Sequence, residues 1–399
     1  MSKIGVCIIG SAGAVATTVV AGTYLMRKGL APKRGMITEK DPLFTKNVLP
    51  DLLKMPTLDE FVFGGWDMHD VTYYDAVREH GVVPKALADQ IKDELSVKPW
   101  PAAVSQKFVV NLSGKNVIAA KTFREETQII QKQIEDWKAA NGLDRVVMVN
   151  LASTERYIEA GDVHATPEAF EKGLDASDER ISPGMKYFYV AVKMGIPHCN
   201  FAPSLCRIPA LETIAQQTGT PYCGMDGKTG QTLLKTTLAG MFRLRNIKVE
   251  GWYSANFLGN RDGLVLDDPG SNKTKIVSKA SVLDSVVGYK VENHQVHIHY
   301  YKPRGDAKEA WDNIDIEGFI GEMMQMKVNF LCKDSILAAP LVIDMVRLID
   351  IAKQKGEKGI QRQLSLFFKS PYADKGETPI HETFKQEDLL YAWVNKHKG

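Results

Sequence analysis

Short apolar runs alternate with longer amphipathic stretches through the first half of the chain. Residues 3–9, 61–67, 108–114 and 145–156 each contain consecutive apolar positions, the pattern of a strand that is covered on both faces. Residues 122–140 show the polar amphipathic pattern of a surface helix. Strands that alternate with helices predict a parallel sheet that binds ligands at the carboxyl ends of its strands.

The second half of the chain changes pattern twice. From residue 249 to residue 299 the sequence is strand-like, with alternation over residues 292–301, and residues 328–332 predict a further strand. A helical pattern resumes at Asp334, which we expect to be the N-cap of a helix through Ala352. The β-rich stretch therefore interrupts an alternating α/β pattern.

These patterns predict an α/β fold, a Rossmann-like parallel sheet with an inserted, mostly β domain. We expect residues 1–235 and 335–399 to form the Rossmann-like dinucleotide-binding domain. Residues 236–334 are expected to form the inserted domain, whose sheet with alternating faces would be the oligomer surface.

Composition narrows the class of protein without naming a chemistry. The 399 residues are 44% hydrophobic and 25% charged, and a net charge of +2 without a long Lys/Arg run argues against nucleic-acid binding. Five cysteines without a CxxC pair indicate free thiols in a reducing compartment. Residues 4–26 carry no charge, so a signal peptide or membrane anchor is an alternative, but their glycines favour strand, turn and helix, and we expect no membrane span.

The turn after the first strand has the small residues of a dinucleotide-binding turn. Residues 10–16 read G-S-A-G-A-V-A, which lets the backbone approach a pyrophosphate at the start of a helix. The pattern is not G-x-G-x-x-G, so a generic tight turn stays open. No Asp follows about 20 residues later, where a ribose ligand usually stands. Asp67 follows the next strand instead, as that ligand or as a helix cap.

Another group of small and polar residues opens a helix near the middle of the chain. Residues 226–232 read D-G-K-T-G-Q-T and precede the helical pattern of residues 233–242. Backbone N–H groups that are exposed together at a helix start suit a phosphate. The spacing is not that of a Walker A motif, and a plain helix cap is the alternative.

The stretch 254–263 is rich in amides and turn-forming residues, among them Asn260 and Asp262. A surface turn is its simple interpretation. Lys275 and Lys279 follow on a predicted helix and share one face at i and i+4, where like charges repel. Either that face is solvated, or a bound anion relieves the repulsion.

Several blocks in order resemble the signature of the myo-inositol-1-phosphate synthase family. They include residues 254–263, the Lys275/Lys279 pair and residues 302–308. The G-G-W-D block that ends at Asp67 and the run of residues 226–232 extend the resemblance over nearly the whole chain. The family's loop commonly reads S-Y-N-H-L-G-N-N-D-G, and this chain departs from it at Ala255, Phe257 and Arg261.

The resemblance implies NAD as the cofactor and a set of residues that hold it. The family's aspartate at the position of Asp67 meets the adenosine ribose, and the block 150–156 lines the nicotinamide side. For Ser153 and Thr154, helix capping is the alternative. The implied cofactor-binding residues are Gly10, Ser11, Ala12, Gly13, Ala14, Val15, Asp67, Ser113, Ala152, Ser153, Thr154, Asp226 and Asn260.

A catalytic set and a phosphate site are implied as well. The catalytic residues would be Lys275, Lys279, Lys308, Lys369, Asp226, Asn256, Asp262 and Asp334. Phosphate would be held by Thr229, Gly230, Gln231, Thr232, Lys279 and Lys308. We expect Lys275 to transfer a proton at C5 and Lys369 to polarise the oxygen at C1 or C5. The local pattern places Lys308 in the first turn of a helix capped by Asp306, where a cation opposes the helix dipole unless an anion is near.

The activity that the resemblance implies is conversion of D-glucose 6-phosphate to 1D-myo-inositol 3-phosphate. Oxidation at C5, enolisation, aldol closure and re-reduction would leave no net redox change. A homotetramer, a cytoplasmic location and a role in inositol and phospholipid biosynthesis are implied with it. An NAD-dependent sugar-phosphate dehydrogenase that releases NADH and a non-catalytic dinucleotide-sensing protein stay open. So does a metal ion, although ordinary strand imidazoles explain His294, His297 and His299.

Overall fold

Two sheets and their helices make up the computed structural model, which describes residues 2–271 and 282–398. The strands of the larger sheet are β1 (Ile4–Ile9), β2 (Phe61–Trp66), β3 (Arg145–Asn150), β4 (His198–Asn200), β5 (Pro221–Gly224) and β10 (Gly359–Ile360). They stand in the order β10-β5-β4-β3-β1-β2, and all their pairs are parallel. The prediction of a Rossmann-like parallel sheet is confirmed. Strand order reverses between β1 and β3, which is where such sheets open a ligand cleft.

Helices cover both faces of this sheet because the side chains of β1 alternate between two apolar cores. Val6 and Ile8 pack into one core, which also takes residues of the helices Ala14–Arg27 and Asp334–Gln354. Cys7 and Ile9 pack into the other core. That core takes residues of the helices Phe123–Asn141, Pro167–Asp175, Pro183–Lys193 and Pro209–Thr218.

The smaller sheet is mixed. Its strands are β6 (Lys248–Leu258), β7 (Asn293–Tyr300), β8 (Ala307–Glu317) and β9 (Met323–Lys333), in the order β7-β6-β8-β9. β6 pairs with β7 in parallel, and the other two pairs are antiparallel. One face packs on the helix Gln231–Leu244, with Trp252 and Phe242 in the shared core. The other face carries exposed aromatic side chains.

The C-terminal segment returns to the larger sheet. Helix Asp334–Gln354 leads back from β9, and β10 pairs with β5. The predicted boundary after residue 235 falls inside the helix Gln231–Leu244, so the division into two domains stays a prediction. Further α-helices are Leu49–Leu52, Tyr73–His80, Lys85–Ala88, Arg261–Leu266 and Thr383–His397.

Two predicted elements are wrong. Residues 108–114 form turns and loop instead of a strand; Phe108 is buried, and Asn111 Nδ2 donates to Leu264 O. Lys308 lies in β8 and not in a helix, because both neighbouring strands pair with that segment and Lys308 itself stands opposite Cys332. Pairing with two strands outweighs the local helix signal.

The uncharged segment near the N-terminus forms β1 and the helix Ala14–Arg27, as the glycine positions predicted. Across residues 2–271 and 282–398 no helix is long and apolar enough to cross a membrane. All five cysteines are free, which confirms the expectation from their spacing.

Candidate active site

A cleft opens at the carboxyl ends of β1, β2 and β3 and extends to the first residues of β8. It gathers most of the residues that the sequence singled out. Those that line it are Gly10, Gly13, Ala14, Val15, Asp67, Ala152, Ser153, Thr154, Asp226, Thr229, Asn260, Asp262, Lys308, Asp334 and Lys369. The tertiary structure therefore joins the predicted cofactor turn to two of the predicted lysines.

The turn after β1 is held in a shape that only glycine suits at its first position. Gly10 has φ +78°, and a Cβ there would lie 2.8 Å from Ala152 Cα. The N–H groups of Gly10 and Ser11 both donate to Trp66 O. The turn is thereby anchored on β2, close against the segment that follows β3.

Within this turn, the donors available to an anion come after Gly13. The N–H of Ala12 donates to Asp67 Oδ2 and that of Gly13 donates to Gly10 O, so both are engaged. The first N–H groups of a helix have no partner inside it, which leaves those of Ala14 and Val15 for a pyrophosphate. Ser11 and Ala12 do not line the cleft; they shape the turn.

Asp67 joins the turn to the end of β2. Its Oδ2 accepts from Ala12 N at 3.0 Å, and its Oδ1 accepts from His69 N at 3.0 Å. Its side chain lines the cleft. The alternative of a helix cap is wrong, because the helix Tyr73–His80 is capped by Thr72. The Oδ1 atom also lies 2.9 Å from His69 Nδ1, so Oδ2 is the oxygen with a further lone pair for a ribose hydroxyl.

The segment after β3 forms the far side of the cleft. Asn150 Oδ1 accepts from Ala152 N, and buried Glu155 accepts from Gly184 N at the start of the helix Pro183–Lys193. Residues 151–161 contain no helix, so capping does not explain Ser153 and Thr154. Burial raises the pKa of Glu155. Ser113 is exposed and does not line the cleft.

Lys369 and Asp226 form a buried ion pair on the cleft wall. Lys369 Nζ donates to Asp226 Oδ1 at 2.8 Å, and Lys369 N donates to Asp226 O at 2.7 Å. The segment around Lys369 reaches this place because residues 224–228 and 367–372 bond to each other, with Gly227 paired to Phe368. These backbone hydrogen bonds join two segments that are more than one hundred residues apart in the sequence.

Lys308 and Asp334 form another pair beside Thr229. Asp334 Oδ1 accepts from Thr229 Oγ1 at 2.8 Å and lies 3.6 Å from Lys308 Nζ. Asp334 is the first residue of the helix Asp334–Gln354 and not its N-cap, so the predicted capping role is wrong. Asp306 performs the capping instead, since its Oδ2 accepts from Ser335 N. The pKa of Asp306 is raised by burial.

The predicted phosphate residues 229–232 lie where the helix Gln231–Leu244 begins. Thr229 lines the cleft, whereas Gly230, Gln231 and Thr232 do not, and neither does Asn256. The side chain of Gln231 is bound to Asp312 and Asn256, which leaves only its backbone N–H for an anion. Lys275 and Lys279 lie outside the described residues.

The sequence also missed residues of the cleft. The segments 102–106 and 201–204 line it, and no role was predicted for either. Ser335 lines it as well. A signal for residues 201–204 was the partial match to a family loop at Asn200 and Pro203. Residues 102–106 carry no pattern that distinguishes them from an ordinary loop. Within the described part of the chain, no three His, Cys, Asp or Glu side chains are grouped as metal ligands.

The parallel sheet, the glycine turn and Asp67 define a dinucleotide-dependent class of protein, and the fit to NAD is direct. Gly10 gives the backbone access, Ala14 and Val15 offer N–H groups, and Asp67 offers a carboxylate for the ribose. The two lysine pairs lie in the same cleft, so the class is an enzyme that stabilises negative charge beside its cofactor.

Comparison with known proteins identifies the family. An NAD-binding family model described as myo-inositol-1-phosphate synthase matches residues 4–395. The inositol-3-phosphate synthase 1 of Bacteroides thetaiotaomicron is 44% identical over 398 residues, covering 96% of this chain and 93% of that protein. The inositol-3-phosphate synthase of Saccharomyces cerevisiae is 28% identical, covering 97% and 84%.

A crystal structure of inositol-3-phosphate synthase from Caenorhabditis elegans has the same fold, with a TM-score of 0.94 at 23% identity, covering 100% of this chain and 86% of that one. The chain belongs to the myo-inositol-1-phosphate synthase family, and its cofactor is NAD.

Proposed function

We propose that this protein is an inositol-3-phosphate synthase, which converts D-glucose 6-phosphate to 1D-myo-inositol 3-phosphate. The observation that carries the proposal is the position of two buried lysines, Lys308 and Lys369, in the cleft that the dinucleotide turn enters. An isomerisation through enolate and alkoxide charges needs cations in a site that excludes water. The names of the relatives support the same activity.

Bound NAD supplies a hydride acceptor at C5 of the sugar and returns the hydride to the same carbon. The residues of this chain then have three tasks: to hold the cofactor, to move the proton of the C5 hydroxyl, and to stabilise the oxygen anions. We assign the first task to Asp67 and the N–H groups of Ala14 and Val15. The donors are fixed before the substrate arrives, so little reorganisation is needed during the reaction.

Lys369 is assigned to the oxygen at C1 or C5. Its ammonium is buried against Asp226, which keeps a cation in the cleft where an isolated one would be costly. Asp226 therefore positions Lys369 and compensates its charge. Lys275 is assigned to proton transfer at C5, with Asp262 among the residues to which the resemblance gives an orienting role.

The substrate phosphate is assigned to Thr229, to the N–H groups at residues 230–232, and to Lys279 and Lys308. Asp334 holds both Thr229 and Lys308 from behind, at 2.8 Å and 3.6 Å. Because Lys308 is on a strand, no helix dipole opposes its charge. The nearby carboxylate of Asp334 compensates the charge of Lys308, so no further anion is needed for that purpose.

The decisive experiment is product analysis with glucose 6-phosphate and NAD. We expect inositol phosphate to form without accumulation of NADH, since the same cofactor is reduced and oxidised in each cycle. A sugar-phosphate dehydrogenase would give NADH absorbance at 340 nm in proportion to a released keto-sugar, and a dinucleotide sensor would give no product. Either result would reject the synthase assignment. Family membership favours neither alternative.

The outer face of the smaller sheet is proposed as the surface for a homotetramer. Tyr253, Trp311 and Leu331 are 46%, 48% and 58% exposed there, and the ring of Phe257 lies 4.8 Å from that of Trp311. An exposed aromatic patch on a sheet face is typical of a protein interface. Trp311→Glu should lower the mass measured by analytical ultracentrifugation; an unchanged mass would place the interface elsewhere.

We place the reaction in the cytoplasm, consistent with five free cysteines, and expect the product to enter inositol and phospholipid biosynthesis. Fractionation of cells would test the location.

A further inference from the structure

The backbone carbonyl of Lys369 has a donor that lies outside the antiparallel pairing beside it. Lys369 N donates to Asp226 O at 2.7 Å, and a regular antiparallel pair would return a bond from Asp226 N to Lys369 O. Asp226 N donates to Ala202 O at 3.3 Å instead. His381 supplies a donor to the carbonyl, since its Nδ1 lies 3.1 Å from Lys369 O. Lys369 is therefore held between its ion-pair partner and the segment that precedes the last helix.

The imidazole of His381 is a neutral donor in this arrangement. A carbonyl oxygen only accepts hydrogen bonds, so Nδ1 must carry the proton. The residue is 7% exposed, and burial lowers the pKa of His381. The ammonium of Lys228 acts on that pKa in the same direction, while the bond to Lys369 O opposes both. The contact therefore needs a hydrogen-bond donor at the position of Nδ1 and does not need a positive charge.

The segment before the last helix is itself fixed by the side chain of Gln386. Its Nε2 donates to Ile380 O at 2.6 Å, and its Oε1 accepts from Lys228 Nζ. Lys228 N donates to Phe367 O at 2.8 Å, which returns to the segment that carries Lys369. These bonds form a closed ring, so the imidazole cannot move away from Lys369 unless one of them breaks.

The place of the Lys369 backbone matters because the ammonium stands at the end of a flexible stem. Lys369 Nζ lies 2.8 Å from Asp226 Oδ1, and the residue lines the cleft. A four-carbon stem does not fix an ammonium by itself, so the backbone must hold the base of the side chain in place. A misplacement of about 1 Å at a reacting group can cost about a hundredfold in rate.

We propose that His381 is a positioning residue for Lys369. Its Nδ1–H holds the Lys369 carbonyl and thereby sets the place from which the ammonium enters the cleft. The inference rests on the proposed function, which gives Lys369 its role toward the sugar oxygen. It adds that the segment before the C-terminal helix takes part in building the active site.

Two amide substitutions separate the position of the donor from the presence of a polar side chain. In His381→Asn, Nδ2 stands as many bonds from the backbone as Nδ1 of the imidazole, so the bond to Lys369 O is kept. In His381→Gln, the amide nitrogen stands one bond further out and misses that carbonyl. His381→Leu keeps a branched side chain and removes the donor.

Steady-state formation of inositol phosphate from glucose 6-phosphate is measured for each NAD-loaded variant. We expect His381→Gln and His381→Leu to lower kcat about tenfold to a hundredfold with little change in KM, because a misplaced Lys369 fails in the transition state. His381→Asn should keep most of the wild-type kcat. Thermal unfolding is measured in parallel.

Equal kcat in the Asn and Gln variants would overturn the inference. Values of kcat that follow the unfolding temperature and not the position of the donor would overturn it as well. If His381→Leu does not fold, the Asn and Gln variants still carry the test, because both place an amide at the same residue.

A measurement without turnover separates this inference from the synthase assignment. The rate at which acetic anhydride labels Lys369 is measured by mass spectrometry, relative to exposed Lys358. Loss of the bond should raise this relative rate about tenfold in the Gln and Leu variants, the fold-change that corresponds to one hydrogen bond, and leave it unchanged in the Asn variant. The same rate in all the proteins would overturn the inference. If the rates differ as expected while the wild-type protein makes no inositol phosphate, the synthase assignment alone is rejected.

Discussion

Lys369 Nζ lies 2.8 Å from Asp226 Oδ1, with only 7% and 2% of the two side chains exposed. Removing the cation alone leaves a buried carboxylate and should destabilise the fold by about 3 to 5 kcal/mol. If Lys369 also acts on the sugar oxygen, Lys369→Met should lower kcat by a factor on the order of 100 to 10,000. This is the usual effect of removing a positioned catalytic group.

Stability and catalysis separate in the double variant. Asp226 has φ +61°, a backbone conformation that Asn tolerates, so Asp226→Asn preserves the turn. Lys369→Met with Asp226→Asn should recover much of the unfolding free energy and none of the activity. Urea denaturation and steady-state kinetics measure the two effects. Turnover that returns together with stability would reduce Lys369 to a structural residue.

The fit of the glycine turn predicts a difference between two alanine substitutions. Gly10 and Gly29 have φ +78° and +70°, so Ala costs each about 1 kcal/mol or more in backbone strain. A Cβ at Gly10 would also meet Ala152, whereas one at Gly29 has nothing within 4 Å. Gly10→Ala should therefore weaken NAD binding at least about tenfold, and Gly29→Ala should leave it unchanged, as measured by fluorescence titration. Equal NAD affinity in the two variants would contradict the proposed close approach.

The proposed ribose-binding role of Asp67 predicts that the protein prefers NAD over NADP. Asp67→Ala should weaken NAD binding by about tenfold to a hundredfold, because bonds to a charged group are worth about 1.5–3 kcal/mol. It should also reduce the preference over NADP, whose 2′-phosphate the carboxylate repels. Asp70→Ala is the matched control, since Asp70 is 63% exposed in an ion pair with Lys98. Unchanged NAD affinity in Asp67→Ala would remove the ribose role.

Lys275 and Lys279 are predicted to differ in kind. Lys275→Ala should lower kcat by a factor on the order of 100 to 10,000, and Lys275→Arg should not rescue it, because a guanidinium holds its proton. Lys279→Ala should raise KM more than it lowers kcat, since phosphate is bound in ground and transition states alike. If both lysines only face solvent, both variants should keep near-normal kinetics with stability changes within about 0.5 kcal/mol.

Lys228 predicts a pH dependence of stability. Burial lowers its pKa from 10.5 to about 7, and its Nζ donates to Gln386 Oε1. The folded state disfavours the charged ammonium. The resulting loss of unfolding free energy is complete below pH 7 and disappears as pH rises toward 10.5. Lys228→Met should therefore gain most, relative to wild type, below about pH 7 and progressively less toward about pH 10. Exposed Lys358→Met is the control; an equally pH-independent difference for both variants would contradict the prediction.

The sequence by itself determined the class of sheet and the cofactor turn. The apolar runs within residues 3–9, 61–67 and 145–156 form buried parallel strands as predicted, and the small residues at positions 10–16 permit a close backbone approach. These signals lie within short stretches of sequence, so they can be interpreted without knowledge of the fold. The site residues were predicted from the resemblance to a family, because the pattern of residues 254–263 alone fits an ordinary turn equally well.

Only the tertiary structure decided which side chains meet. Lys308 was predicted to lie in a helix, but its pairing opposite Cys332 places it in β8. Asp306 caps the helix that begins at residue 334 and not its own segment. Asp226 and Lys369 meet because distant backbone segments bond to each other. The side-chain hydrogen bonds of Gln231 with Asp312 and Asn256 likewise join a helix start to two strands. Such contacts depend on register between distant segments, and the local pattern of residues does not encode register.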